Sequence, residues 1–296
     1  QRFKGVFMDE IRFFMEESLI SVEATENIRE AALKMRHHSI SAVLIGADGN
    51  FTGLLTDTDL CRKFAAKNGD PDHTIVSSMS TNPIISLDAA GSMEDAYHCM
   101  RSNNIRHLGV TENNVMVGIL SIKDFANYYH NKFSNEAGEK GEIEYCMKGP
   151  PLSIGSDETI LKAAQKMAKN KIGCLIVTEK GKVTGTFSES ALTMDVIAAG
   201  RPFDTTPLSD IMLRPLITID SNRFMADAYQ KMRENNIRHL TISRGNKIVG
   251  ILTIKDFANY YDFKFNQCQN KEDQIGNYMQ ENLEKIIEST SVHKAA

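Results

Sequence analysis

The sequence predicts an α/β chain made of four related units, each ordered strand–helix–strand–strand–helix and joined two by two into a pair of modules. Three observations predict it: a long repeat at an offset of 132 residues, a weaker repeat of about half that length inside it, and hydrophobic patterns that switch between helical and strand periods in the same order each time. Residues 100–129 and 232–261 match at 21 of 30 positions without a gap. Met100-Arg101-Ser102-Asn103-Asn104-Ile105-Arg106-His107-Leu108 returns as Met232 to Leu240 with one change. Val117 to Tyr129 returns as Val249 to Tyr261 with Ser121 replaced by Thr253. Met15, Met147 and Met279 share the same offset.

The shorter repeat shows in the helices. Ile28, Ala31, Ala32 and Met35 stand at i, i+3, i+4 and i+7, the spacing of one apolar helix face. Met93, Ala96, Tyr97 and Met100 repeat that face. So do Ile160, Ala163, Ala164 and Met167, and then Met225, Ala228, Tyr229 and Met232. Each face precedes two short apolar runs separated by a polar turn. In the first quarter these are Ala42 to Ile45, the turn Asp48-Gly49-Asn50, and Phe51 to Leu55; Asp-Gly between such runs signals a hairpin. A small first strand is expected at Ile20-Ser21-Val22. It is preceded by a lead-in segment, Ile11 to Met15, that recurs at Val76 to Met79, Ile143 to Met147 and Leu208 to Met212.

Composition is that of a soluble protein whose length suits about two domains of ordinary size. Apolar residues make up 42% and charged residues 24%, with a net charge of −4. The absence of a long basic run argues against nucleic acid and membrane surfaces, and no apolar stretch reaches the roughly 18 residues of a span. Gln1-Arg2-Phe3-Lys4 lacks a signal-peptide layout, and the five scattered cysteines form no Cys-x-x-Cys, so a cytoplasmic location is expected. His37-His38 has no partner at metal spacing, and no Walker loop or nucleophile elbow is present.

Four such units resemble cystathionine-β-synthase-type (CBS) domains, and two adjacent ones resemble a Bateman module. The expected layout is a first module over 1–133, with repeats at about 16–68 and 76–133, and a linker over 134–142. A second module follows over 143–265, with repeats at about 143–200 and 208–265, then a linker and helical tail over 266–296.

The end of the third strand carries the candidate chemistry. It reads Gly53-x-x-Thr56-x-x-Asp59, Gly118-x-x-Ser121-x-x-Asp124 and Gly250-x-x-Thr253-x-x-Asp256. A hydroxyl with an acid three residues on, opening a helix, is a cap: the hydroxyl takes a free N–H and the acid favours the positive helix end. The same atoms can hold a nucleotide, with phosphate at the helix N-terminus, ribose on the acid, and the glycine admitting a ligand to the backbone. The resemblance implies this second role, with AMP, ADP or ATP as a regulatory ligand and no cofactor required. It also implies that Arg106-His107 and Arg238-His239 point into the central cleft and bind phosphates; Lys123 and Lys255, beside the acid, either add charge for phosphate or form surface pairs. Ser41-Ala42 and Gly173-Cys174 stand at the corresponding places without charge. The third quarter reads Gly185-x-x-Ser188-Glu189-Ser190-Ala191, without the acid, so its pocket is expected to hold no nucleotide or a different ligand.

The function expected is therefore non-enzymatic ligand sensing with a conformational output, by a homodimer formed through the modules and acting on an effector domain or protein. Tyr128-Tyr129 and Tyr260-Tyr261 are expected in packing or dimer contacts. The alternatives are a scaffold that binds no ligand, or the sensory piece of a larger kinase, enzyme or transporter regulator.

Overall fold

A computed structural model describes residues 9–133 and 142–262. The expected linker Ser134–Gly141, the tail 266–296 with its lead-in-like Ile275–Met279, and Cys268 lie outside the described residues.

The first quarter runs β1 (Ser21–Val22), α1 (Ile28–His38), β2 (Ala42–Ala47), β3 (Asn50–Thr56) and α2 (Asp57–Asp59). The second runs β4 (Ser86–Asp88), α3 (Met93–Ser102), β5 (His107–Glu112), β6 (Val115–Ser121) and α4 (Ile122–Phe133). After a short helix α5 (Glu142–Cys146), the third quarter runs β7 (Ser153–Gly155), α6 (Ile160–Asn170), β8 (Cys174–Glu179), β9 (Lys182–Ser188) and α7 (Glu189–Ala191). The fourth has β10 (Thr218–Asp220), α8 (Met225–Glu234), β11 (His239–Arg244), β12 (Lys247–Thr253) and a helix described over 254–262.

Each quarter forms its own three-stranded sheet, with the first strand parallel to the second and the second antiparallel to the third. The hairpin of the first sheet turns at Asp48 and Gly49, both at positive φ (53° and 82°), as a tight turn matched to strand twist requires. The four predicted helix faces are buried as read from spacing. Asn27, Ser92 and Thr159 cap three of these helices, each accepting from the backbone N–H three residues on. Phe224 stands at the fourth cap and makes no such bond.

The closing helices of the odd quarters depart from the regular helix expected. After one turn, α2 and α7 widen into π-helical segments, Leu60–Phe64 and Leu192–Ile197, whereas α4 continues for twelve residues.

The quarters of a module exchange their lead-in segments. Glu16 bridges to Ile119 of the second quarter, while Thr81 bridges back to Leu54 of the first. Lys148 with Ile251 and Leu213 with Thr186 repeat this at the 132-residue offset. This exchange is what the motif glycines accommodate. A Cβ on Gly118 would lie 2.5 Å from the Met15 sulfur and 3.1 Å from the Glu16 carbonyl oxygen, and one on Gly250 would lie 2.6 Å from the Met147 sulfur. Close approach at these glycines is thus made by the chain's own lead-in segment, which corrects the expectation that they admit a ligand. Sheet faces within the first module also pack together, with Ala42, Leu44 and Leu54 against Ile84 and Ile119.

The helical faces pair between modules. One core joins the first and third quarters and a second joins the second and fourth. Phe64 meets Phe203 edge to face at 5.9 Å, and Tyr129 stacks on Tyr261 at 6.5 Å. The Tyr97 hydroxyl donates to Asn259 Oδ1 at 2.6 Å, and the Tyr229 hydroxyl donates to Asn127 Oδ1. These two bonds are one pair read in both directions, since 229 and 259 are 97 and 127 advanced by 132. The closing tyrosines therefore meet in packing between the modules of one chain.

Because both tyrosine bonds cross the module boundary, Tyr97→Phe and Tyr229→Phe should each lower unfolding free energy by about 1 kcal/mol, the net worth of one hydrogen bond. Chemical denaturation measures this. Two losses of similar size are expected, and no loss in either variant would contradict the cross-module pairing.

Candidate functional site

The third strand of each quarter ends where the next helix starts, and backbone pairing puts that point opposite the start of the middle strand. Thr56 faces Ala42, Ser121 faces His107, Ser188 faces Cys174 and Thr253 faces His239. Within the first module the two ends meet directly, with His107 Nε2 and Ser41 Oγ 3.0 Å apart. In the second, a Cβ on Gly173 would sit 3.0 Å from His239 Nε2, so only a residue without a side chain lets that histidine approach.

All three predicted acids serve as caps. Asp59 Oδ2 accepts from the Thr56 N–H at 3.0 Å and the Thr56 hydroxyl at 2.7 Å, and Thr56 Oγ1 accepts from the Asp59 N–H at 3.2 Å. Asp124 Oδ2 accepts from the N–H and hydroxyl of Ser121, both at 2.7 Å. Asp256 Oδ2 accepts from Thr253 at 2.8 and 2.6 Å. In each acid the cap uses Oδ2 alone. The other oxygen meets Lys63 Nζ at 2.8 Å in Asp59 and Lys148 Nζ at 3.5 Å in Asp256. Burial pushes the Asp124 carboxyl up, opposed by its two bonds from Ser121. In the third quarter Ser188 Oγ still accepts from the Ala191 N–H at 3.3 Å, so the hydroxyl half of the cap survives without the acid.

The two arginines are paired with acids of other quarters and do not present free charge. Arg106 Nη2 lies 3.1 Å from Asp57 Oδ1 and 3.0 Å from Glu189 Oε2, and it also donates to the Thr58 hydroxyl. Arg238 donates to the other oxygen of Asp57. The Thr58 hydroxyl donates to Glu189 Oε2 at 3.0 Å. The side chains of Asp57 and Glu189 are each 1% exposed. Burial would raise the Asp57 carboxyl, yet Arg238 and Arg106 outweigh it and hold it well below the usual carboxylate range. Burial, with Asp57 nearby, pushes the Glu189 carboxyl up.

Asp57 and Glu189 were not among the residues singled out from the sequence. The signal was available: they are 132 apart and fall directly after the cap residue, where the even quarters have Ile122 and Ile254.

The histidines are neutral partners. Burial and the Arg106 charge push His107 down to about 4, and burial with Arg238 pushes His239 down to about 3. The two lysines of the repeat differ. Lys123 is exposed, whereas Lys255 is half-buried and its ammonium is pushed down by burial and by Lys148. The buried thiols Cys61 and Cys174 are pushed up by burial and stay protonated at neutral pH.

Each imidazole takes up a proton more readily when unfolded, at about 6.5, than when folded. The unfolded state therefore binds more protons below pH 6.5, and stability is lost as pH falls from there towards the folded values. The slope is at most about 1.4 kcal/mol per pH unit per histidine. Denaturation between pH 6.5 and 4.5 should show it, and His107→Asn or His239→Asn should each flatten it. An unchanged slope in both variants would contradict neutral, buried imidazoles.

The CBS domain profile matches four stretches, residues 9–66, 76–131, 141–196 and 208–262. YhcV of Bacillus subtilis, a CBS domain-containing protein, is 31% identical over 130 residues, covering 44% of this chain and 90% of that protein. CBSCBSPB1 of Arabidopsis thaliana, also a CBS domain-containing protein, is 24% identical over 266 residues, covering 76% of this chain and 48% of that one; the chain spans about half the length of this plant relative. Among solved structures, protein MJ1225 from Methanocaldococcus jannaschii, offered as an archaeal homologue of g-AMPK, superposes with a TM-score of 0.71 at 16% identity, covering 85% of this chain and 99% of that one, and so shares its fold. With four matched stretches and paired quarters that exchange segments, the chain belongs to the CBS-domain family.

Proposed function

We propose that this chain is a regulatory, ligand-sensing module that binds adenine nucleotides in the clefts between paired quarters and answers with a conformational change. The observation that carries the reading is the division of labour in Asp59, Asp124 and Asp256. Oδ2 closes the helix cap in each, and in this reading Oδ1 takes the ligand, which in Asp59 and Asp256 displaces the lysine that meets it. The lysines that meet two of these oxygens are long and partly exposed, 45% for Lys63 and 70% for Lys148, so they can swing from carboxylate to phosphate.

In this reading Asp59, Asp124 and Asp256 hold ribose hydroxyls, and Thr56, Ser121 and Thr253 set the helix end that faces phosphate. His107 and His239 act as neutral hydrogen-bonding groups, and Lys255 with Lys148 supplies cation on the second module. Exposed Lys123 has a lesser part. Arg106 and Arg238 reach phosphate only by giving up Asp57. The helical faces of the quarters are taken up between the two modules of the chain, so a homodimer formed through the modules would use other surfaces. An effector domain or protein would receive the signal.

Adenine nucleotide at a hundred times its dissociation constant should add about 2.7 kcal/mol per site and raise the melting temperature by several degrees. A flat melting curve across millimolar AMP, ADP and ATP would reject the reading in favour of a scaffold. Asp59→Ala, Asp124→Ala and Asp256→Ala should each lose about 1 kcal/mol of unliganded stability as the cap breaks. Each should also lose roughly ten- to hundredfold in affinity at its own site. Loss of stability with affinity intact would leave the acids as caps alone. Ala191→Asp should complete the fourth cap and add a site, read as one further equivalent in calorimetry.

A further inference from the structure

The centre of the molecule carries its own anions. Arg106 comes from the second quarter and Arg238 from the fourth, and both are bound to Asp57 of the first; Arg106 is also bound to Glu189 of the third. Acids stand at this position only in the odd quarters and arginines only in the even ones, so the pairing is built into the duplication. Arg106 and Arg238, with Arg62 3.7 Å from Glu189, face these two buried carboxylates, and burial holds the adjoining histidines towards the neutral form.

We propose that Asp57 and Glu189 act as internal counter-anions that set the charge of the ligand, so that the cleft takes a nucleoside or nucleoside monophosphate in preference to a triphosphate. The inference rests on the nucleotide reading above. A first phosphate, close to the ribose acids, finds rim cations that are free to turn towards it: Lys63 beside Asp59 and Lys148 beside Asp256. In this reading a second or third phosphate extends towards the arginines. There it meets two carboxylates that are almost wholly shielded from water, and like charges at short range in such surroundings repel strongly.

Neither acid has an easy retreat. Asp57 already spans both arginines, and its backbone N–H is tied to the Ser41 carbonyl at 2.9 Å. Glu189 accepts from Arg106 and Thr58 through Oε2. Its Oε1 is buried without a hydrogen-bond partner, and the nearest cation, Arg62 Nη2, is 3.7 Å away. Displacing Asp57 leaves a buried carboxylate unpaired, and displacing Glu189 leaves it only the 3.7 Å contact with Arg62, which disfavours polyphosphate further.

Calorimetry on the full chain in magnesium-free buffer tests this with adenosine, AMP, ATP and inorganic tripolyphosphate, using the parent, Asp57→Asn and Glu189→Gln. The parent should bind AMP at least about tenfold more tightly than ATP and show no tripolyphosphate binding. Asp57→Asn should shift the AMP-to-ATP ratio about tenfold towards ATP and gain tripolyphosphate binding. Glu189→Gln keeps an acceptor for Arg106 and Thr58 and should shift the ratio the same way by less; if Asp57→Asn fails to fold, this variant decides. ATP bound as tightly as AMP by the parent, or a ratio unchanged in both variants, overturns the inference. If no nucleoside binds at all, the nucleotide reading fails instead. The tripolyphosphate arm then judges the acids alone, and absence of a gain in both variants rejects them.

Discussion

One buried carboxylate, Asp57, is held by arginines from two other quarters, and the arrangement of the four domains depends on it. A lone carboxylate in that position would be strongly disfavoured, because burial removes the water that stabilises its charge. Arg106 and Arg238 reverse that balance and keep Asp57 ionised. Since Arg106 belongs to the same module and Arg238 to the other, one side chain fastens the cleft inside a module and the boundary between modules. Glu189 extends the brace to the third quarter through Arg106 and Thr58.

Much of this architecture was legible in the sequence. The 132-residue offset, the four apolar helix faces, the Asp48-Gly49 turn and the lead-in segments all follow from periodicity, which reports burial and turn geometry directly. The capping role of Thr56 with Asp59, and of its counterparts, was legible for the same reason: it depends on residues three apart.

What lay beyond the sequence was the partner of each surface. Spacing shows that the face of α1 is apolar, but not that it meets the third quarter. The motif glycines read as space for a ligand, when side chain and backbone of a neighbouring lead-in segment crowd them. Asp57 and Glu189 escaped notice because each falls directly after the cap residue, where it reads as one more acid favouring a helix N-terminus. Only the contrast with Ile122 and Ile254, set beside the arginines confined to the even quarters, marks them as parts of a charge network. The π-helical widening after α2 and α7 had no counterpart in the apolar pattern.

Duplication followed by divergence accounts for the brace. Odd quarters hold the acids, even quarters the arginines and histidines, and the repeated Tyr–Asn pair closes on itself across the boundary. The same duplication therefore builds ion pairs within a module, Arg106 with Asp57, and across the module boundary, Arg238 with Asp57.

The claim that Asp57 fastens one module to the other is tested most directly by a double-mutant cycle between Asp57→Asn and Arg238→Gln, measured by chemical denaturation of the full chain. Residues joined across the boundary should show a coupling energy of about 1.5 kcal/mol or more, with the double variant losing clearly less than the sum of the single losses. Single losses that add to within about 0.5 kcal/mol would contradict the brace.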